Sequence, residues 1–463
     1  MSLMSWSPGA GDPVVVCAEI PNMIHRPEFR GRPVLWRVLL LVSVGVMASV
    51  VVRAQQQPTF RATVELIAVD VQVVDNDGAP LSHLRPESFE VTIDGRRHKV
   101  VSADFVRHSV SDLANGPARS TPSGPVASNQ WPTDGPGRTF MLAVDLGSFE
   151  IGQSRGVAAA ARGFIDKLLP NDQVGLYTFP TGPWVHPSTD RTELRHQLDG
   201  IVGNRQAIQS QFHLTPSEVV DITAEMSALA SRGAPAAPRA GQAPSALNGD
   251  ESETIRRVQL RECGDAADFR CVEAIEVEAS AMAFVYEGLV VQGLDGLSNL
   301  MNSMSELPGR KTMIVFSAGM PMSDRVGGRP NPGDQARTLG EQAARTNTII
   351  YALHIDASYL QTYAAENRRS NRPVSLERES TMLGRLLDQF AGASGGTLMR
   401  VLVGSGEGSL DRVLRETSAY YLLGVEPTQA DHDGRTHALK VTVKERNATV
   451  RSRTFVLLPK PRL

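Results

Sequence analysis

Aromatic residues make up 5% of the 463-residue chain, cysteines number only 3, and neither sign of charge prevails: 47 Lys and Arg against 50 Asp and Glu leave a formal net charge of −3. The missing basic excess excludes a polybasic binder of nucleic acid or of an anionic membrane surface. So few cysteines exclude a scaffold held together by many disulfides. Long apolar runs are also lacking, since Val38 to Val52 is uncharged for fifteen residues and a bilayer span needs roughly 20. What is present is ordinary globular material, 41% hydrophobic and 21% charged, enough for roughly two to three domains with proper cores. The 40 glycines and 29 prolines gather in turns and connectors.

That short apolar run sets the expected compartment. Arg26, Arg30, Arg32 and Arg37 precede it, and Val52-Arg53-Ala54 follows, ahead of Gln55-Gln56-Gln57-Pro58. Basic flank, apolar stretch and small residue together fit a secretory signal peptide cleaved after Ala54. An uncleaved membrane anchor is the alternative, and the long basic segment would also suit a start at Met23. Cys17 lies before the apolar run and follows Val16 rather than a small residue, so it is not a lipidation site. The protein is therefore expected to be exported, to the periplasm, the cell surface or the medium.

Without the leader two cysteines are left, Cys263 and Cys271, close together in a turn-like segment. In an oxidising compartment such a pair is expected to form a disulfide. Zinc needs four ligands and no His lies nearby, and a redox pair is more usually spaced C-x-x-C.

Five regions follow from the pattern: a leader over 1–54, a small N-terminal β-module over 55–108, a linker over 109–137, an α/β domain over 138–417 and C-terminal β-strands over 418–463. In the β-module, Thr63 to Val74 alternates, Asp75-Asn76-Asp77-Gly78 supplies a turn, and Asp94-Gly95 reads as a hairpin between apolar groups. A calcium loop ending at Gly78 would need acids where Val73 and Leu84 stand, so the turn is preferred. From Arg138 strands and helices alternate. Thr139 to Asp145, Gln173 to Phe179, Lys311 to Phe316, Asn347 to Ile355 and Thr397 to Val403 read as strands, and a helix is expected across Val157, Ala161, Phe164 and Leu168. The pattern predicts α/β class: a doubly wound, mostly parallel sheet with its site at the carboxyl ends of the strands. An insertion over about 200–275 includes the Ala- and Pro-rich Ala234 to Asn248. After it, Ile275 to Met304 is periodic, with a break expected at Gly288, Gly293 and Gly296.

Several motifs fail on context. Gly392-Ala393-Ser394-Gly395-Gly396 matches a nucleophile elbow, but here a helix precedes and a strand follows, the reverse of what the elbow needs, so a helix C-cap is expected. Gly309-Arg310-Lys311-Thr312 lacks the adjacent Gly-Lys and the following helix of a phosphate loop. The ten histidines show no ligand spacing.

One constellation combines position with chemistry. A first sheet strand ends at Asp145-Leu146-Gly147-Ser148-Phe149 and a later one, after Pro308-Gly309-Arg310-Lys311, ends at Ser317-Ala318-Gly319. With these residues, with Ser418 to Val425 (Ser-Ala-Tyr-Tyr-Leu-Leu-Gly-Val), with Asp77-Gly78 and Asp94-Gly95, and with the segment Arg261 to Cys271, the chain resembles von Willebrand factor A domains. More closely, it resembles the von Willebrand factor A-related secreted proteins of acidobacteria. The resemblance covers roughly residues 60–460. It implies a magnesium or manganese site built from a D-x-S-x-S loop, a loop threonine and a later aspartate, with oxygens around a hard cation. Asp145 matches the first ligand, and Ser148 and Ser317 offer hydroxyls, with Thr215 the one candidate for the threonine. Gly147, Phe149 and Ala318 stand where ligand oxygens are required. The expectation is a site that has lost its metal, and hence no cofactor. The protein is then a non-enzymatic interaction or adhesion module whose partner is a protein in the envelope or outside the cell, with no nucleic acid and no small-molecule substrate. The alternatives are weak metal-dependent adhesion through Asp145, Ser148 and backbone oxygens, and a serine hydrolase using Ser394 or an unassigned Ser/His pair.

Overall fold

Alternating apolar side chains begin the described chain and decide which way its first strands face. The computed structural model describes residues 66–108, 137–206, 208–231, 253–264, 269–356, 373–401, 406–428, 431–458 and 460, all within the compact unit Thr63–Leu463. The expected leader and its expected cleavage after Ala54, linker residues 109–136 and the Ala234 to Asn248 stretch lie outside them.

The first four strands are β1 (Ile67–Val74), β2 (Phe89–Ile93), β3 (Arg96–His98) and β4 (Val100–Arg107). Asp94 and Gly95 join β2 to β3 with φ of 48° and 77°, a two-residue hairpin with both central residues left-handed, which Asp-Gly accommodates best. At the acidic turn, Asp75 Oδ1 accepts from Asp77 N at 2.9 Å and Ala79 N at 2.8 Å, so that carboxylate organises its own loop.

A six-stranded sheet follows, built from β5 (Thr139–Asp145), β6 (Gln173–Phe179), β7 (Trp184–Ser188), β8 (Lys311–Ser317), β9 (Thr348–Ile355) and β10 (Thr397–Val401). Its order is β10-β9-β8-β5-β6-β7, parallel throughout except for β7 against β6. The order reverses between β5 and β8, which makes their carboxyl ends the switch point of a doubly wound sheet. The edge strand β7 was not evident in the sequence. It is short and contains Pro187, which only an edge tolerates.

The helices are α1 (Arg155–Asp166), α2 (Thr192–Asp199), α3 (Pro216–Ser231), α4 (Glu253–Glu262), α5 (Phe269–Met304), α6 (Gly333–Arg345), α7 (Pro373–Ala393) and α8 (Glu407–Glu416). Phe140, Leu142 and Val144 point to one face of the sheet and meet α1, α2 and α8, while Met141 and Ala143 point to the other and meet α5, α6 and α7. Both faces of β5 are covered, which is why its sequence is apolar without alternation. After a non-helical stretch to Thr215 the described part of the insertion is largely helical: α3, α4 and the first half of α5 share a core of Val219, Ile222, Ile255, Val258, Ile275 and Met282. Cys263 and Cys271 are joined by a disulfide across a Cα separation of 6.3 Å, pinning the end of α4 to the start of α5.

The break expected in the long helix does not occur, and α5 runs unbroken for 36 residues. A Cβ on Gly293 would lie 2.9 Å from Met320 Cε, and one on Gly296 would lie 2.8 Å from Phe179 Cβ. These glycines let the helix sit close on the sheet, and packing offsets their propensity cost of about 1 kcal/mol each.

The final strands are β11 (Ala419–Val425), β12 (Thr436–Val443), β13 (Thr449–Ser452) and β14 (Phe455–Leu457). They do not stand apart from the opening module. One sheet has the order β13-β1-β11-β4 and a second has β14-β12-β2-β3, so strands from both ends of the chain are present in each and alternate in the first. Val69, Val71, Phe89, Val91, Tyr421, Leu423 and Leu439 fill one core between the sheets. The α/β domain is therefore carried between β4 and β11 of one β-sandwich. The stretch Ala448 to Leu457 is two strands in different sheets, separated at Arg453, whose Nη2 donates to Ala68 O at 2.7 Å.

Candidate functional site

The switch point gathers residues from four stretches of chain. Asp145 ends β5, Ser148 lies in the turn after it, Ser317 ends β8, and His354 lies beside Ser317 on β9. Residues 204 and 205 close the same turn from outside, Asn204 N donating to Leu146 O at 3.1 Å and Arg205 N to Phe149 O at 2.9 Å. All of Asp145, Ser148, Ser317 and His354 are buried.

Asp145, Ser148 and Ser317 are brought together as their positions suggested. Ser317 Oγ donates to Asp145 Oδ2 at 2.8 Å and accepts from Gly319 N at 3.1 Å. Ser148 Oγ donates to the main-chain oxygen of Asp145 at 2.8 Å and accepts from Ala318 N at 2.8 Å. Both hydroxyl protons are thus committed inside the protein, and the two strand ends are stitched together through serine side chains. Burial pushes the Asp145 carboxyl up from 3.8 to about 6, against the opposing pull of Ser317, Ser148 and the Arg205 charge.

The fit to a divalent cation can be tested on these atoms. Phe149 is wholly buried in the core beneath α1, and Ala318 and Gly147 carry no oxygen on their side chains. A Cβ at Gly147 would lie 3.3 Å from Pro180 Cδ and 3.5 Å from Asp145 Oδ1, so this is where an oxygen-bearing residue would face the carboxylate. The donor set is one carboxylate and two committed hydroxyls, which does not fit a cation that takes six or more oxygens. Among the described residues no group of three or more His, Cys, Asp or Glu is arranged around a common point for a metal. Thr215 has another task. Its Oγ1 accepts from Glu218 N at 3.3 Å while Glu218 Oε2 accepts from Thr215 N at 3.1 Å, a capping box at the start of α3.

Three residues of this region gave no sequence signal. His354 Nε2 lies 3.2 Å from Ala318 O and donates to it, which leaves Nδ1 as a buried acceptor without a protein partner. Burial lowers its pKa, so the ring is neutral. Glu379 on α7 accepts from Ser217 N at 2.9 Å, and burial raises its carboxyl to about 7, aided by the Glu218 charge. Arg205 draws both Asp145 and Glu379 downward. Its charge joins two acids that lie 234 positions apart in the chain, and no local pattern encodes that.

Ser394 is also placed. It is fully buried, its Oγ donating to Ala391 O at 2.7 Å and accepting from Ile350 N at 2.8 Å. It closes the C-terminus of α7 against β9.

Among the described residues no helix is long and apolar enough to cross a membrane. No family model matches the chain, and no curated protein matches it. Among solved structures it is similar to an aerotolerance-related membrane protein from Bacteroides fragilis (13% identity, TM-score 0.27) and to the conserved hypothetical protein BatB from Bacteroides thetaiotaomicron (13%, 0.28). Each comparison covers 60% of this chain and 98% of the other. The human COPII-coat protein Sec24c is similar over 70% of this chain and 44% of its own, at 9% identity and a TM-score of 0.25. Likeness at this level carries no function across.

Proposed function

We propose that this chain is an exported, non-enzymatic protein-interaction module whose von Willebrand factor A-like core, held in a β-sandwich, has given up metal bridging. The strand order, with its reversal between β5 and β8 and one antiparallel edge strand, is compatible with that core. One observation carries the reading: at the place where such a sheet presents its ligand, Asp145 is buried and hydrogen-bonded to Ser317, while Gly147, Phe149 and Ala318 supply no oxygen. A closed crevice leaves contact to be made by the outer surface. The kinship with secreted acidobacterial proteins and the periplasmic, cell-surface or secreted destination belong to the same proposal.

Calorimetric titration of magnesium and manganese into the wild-type chain and into Asp145→Ala is the test. Absence of binding heat in both supports the reading. A stoichiometric isotherm in the wild type that vanishes in Asp145→Ala would establish the metal-dependent alternative instead.

A further inference from the structure

The long helix α5 has two apolar faces, and the described residues pack against one. Toward the protein it presents Ala279, Tyr286 and Gly293, spaced by seven residues and all buried, with Ile275, Met282, Ala283 and Val290 beside them. On the opposite side Ala274, Val277, Ala281, Phe284, Gly288 and Val291 are exposed, at successive spacings of three and four. That is the a/d rhythm of a coiled-coil seam, maintained over a rise of about 26 Å. Val277 is 63% and Phe284 72% exposed, and Val285 and Leu289 widen the strip on one side. A surface helix of a monomer ordinarily turns polar residues outward, so this face is built for a neighbour.

The two rows of the seam differ. One row is small, Ala274, Ala281 and Gly288, and the other is large, Val277, Phe284 and Val291. Knobs from a facing helix would enter over the small row while Phe284 enters the facing helix. The charge around the seam selects the occupant. Glu273, Glu276, Glu278, Glu287 and Asp295 lie along α5, with Arg270 its only cation. Glu287 is paired with Arg329 and Glu278 is bonded by Phe212 N. Glu273 and Asp295 are exposed, and the Glu276 carboxyl is raised by burial and by the charge of Glu273. A second copy of this helix would set acids against acids, and an anionic lipid surface would be repelled. A basic helix would relieve both.

We propose that the seam Ala274–Val291 of α5 docks an amphipathic helix of a partner protein that carries heptad-spaced apolar residues flanked by lysine or arginine. The inference rests on reading the chain as an interaction module, but it concerns a different surface from the strand ends, so a positive metal titration leaves it standing.

The experiment uses the full chain and a fluorescent synthetic helix of about three heptads with Leu at a and d and Lys at e and g, beside a twin with Glu at e and g. Anisotropy is expected to rise with the Lys-flanked peptide only, and to weaken about tenfold or more in Phe284→Asp and in Val277→Asp, both exposed positions whose substitution leaves the thermal melt in place. The proposal is overturned if the Lys-flanked peptide fails to bind, if the Glu-flanked twin binds as well, or if neither variant weakens binding. It is equally overturned if sedimentation shows a dimer of the chain that Phe284→Asp dissociates, since the occupant is then a second copy.

Discussion

Ser317 Oγ lies 2.8 Å from Asp145 Oδ2, so the last residue of β8 hydrogen-bonds the last residue of β5 at the point where the sheet reverses its order. A crevice that doubly wound proteins leave for a ligand is here spanned by the protein's own side chains. Four expectations follow from the structure around that bond and from the frame that holds it.

Stability should fall as pH rises through the weakly acidic range. In the folded state burial holds Asp145 at about 6 and Glu379 at about 7, above their ordinary 3.8 and 4.5. The folded chain therefore binds these protons more tightly than the unfolded one. The stabilisation is complete below about pH 4 and is lost by about pH 7, at about 3 kcal/mol per group. Asp145→Asn removes one of the two contributions, so urea denaturation across that range should show a shallower decline than in the wild type. An unchanged slope would mean that this carboxyl does not hold its proton in the fold.

Glu416 should matter more than any surface charge. It is wholly buried at the end of α8 and receives Arg412 at 2.8 Å, Arg451 at 2.7 Å and the Tyr351 hydroxyl at 3.1 Å, joining α8, the sandwich strand β13 and the sheet strand β9. Glu416→Ala leaves two guanidinium groups without their carboxylate and is expected to cost about 3–5 kcal/mol in chemical denaturation. A loss within experimental error would show that the sandwich and the α/β domain are not coupled through this residue.

Ser394→Ala should behave as a lost structural hydrogen bond. Ile350 N, buried in β9, would lose its acceptor, at a cost of about 1–3 kcal/mol. Because the hydroxyl is buried and committed, a fluorophosphonate probe should label wild type and variant equally little. Labelling that disappears with Ser394 would reopen the hydrolase alternative.

The Cys263–Cys271 bond closes only a short loop, since the two are eight residues apart. By chain entropy its removal is worth about 2–3 kcal/mol. Melts of Cys263→Ser/Cys271→Ser should shift downward and become indifferent to added reductant, whereas the wild type should respond to it.

Much of the frame was legible in short windows. The apolar run Thr139 to Asp145, the helical spacing of Val157 to Phe164 and the Asp94-Gly95 turn each express local physics: burial on two faces, one buried helix face, and a left-handed pair. The edge strand β7 escaped notice because five residues holding a proline have almost no pattern of their own. Gly293 and Gly296 misled because their cost is local, whereas their benefit lies on Phe179 and Met320, residues from two other segments. At the site, position and type identified Asp145, Ser148 and Ser317, but not the bonds that consume them. Arg205, His354 and Glu379 had no motif to announce them.

The sequence by itself determined the α/β alternation, the turn chemistry, the pairing of the two cysteines and the absence of oxygen side chains where a cation would need them, because periodicity and residue type act over a few positions. Only the tertiary structure decided that opening and closing strands make one sandwich, that the strand ends seal each other, and that one face of a long helix is left bare by the other described residues. Those depend on which distant surfaces meet, and the free energy of burial that selects them belongs to pairs of segments rather than to either one.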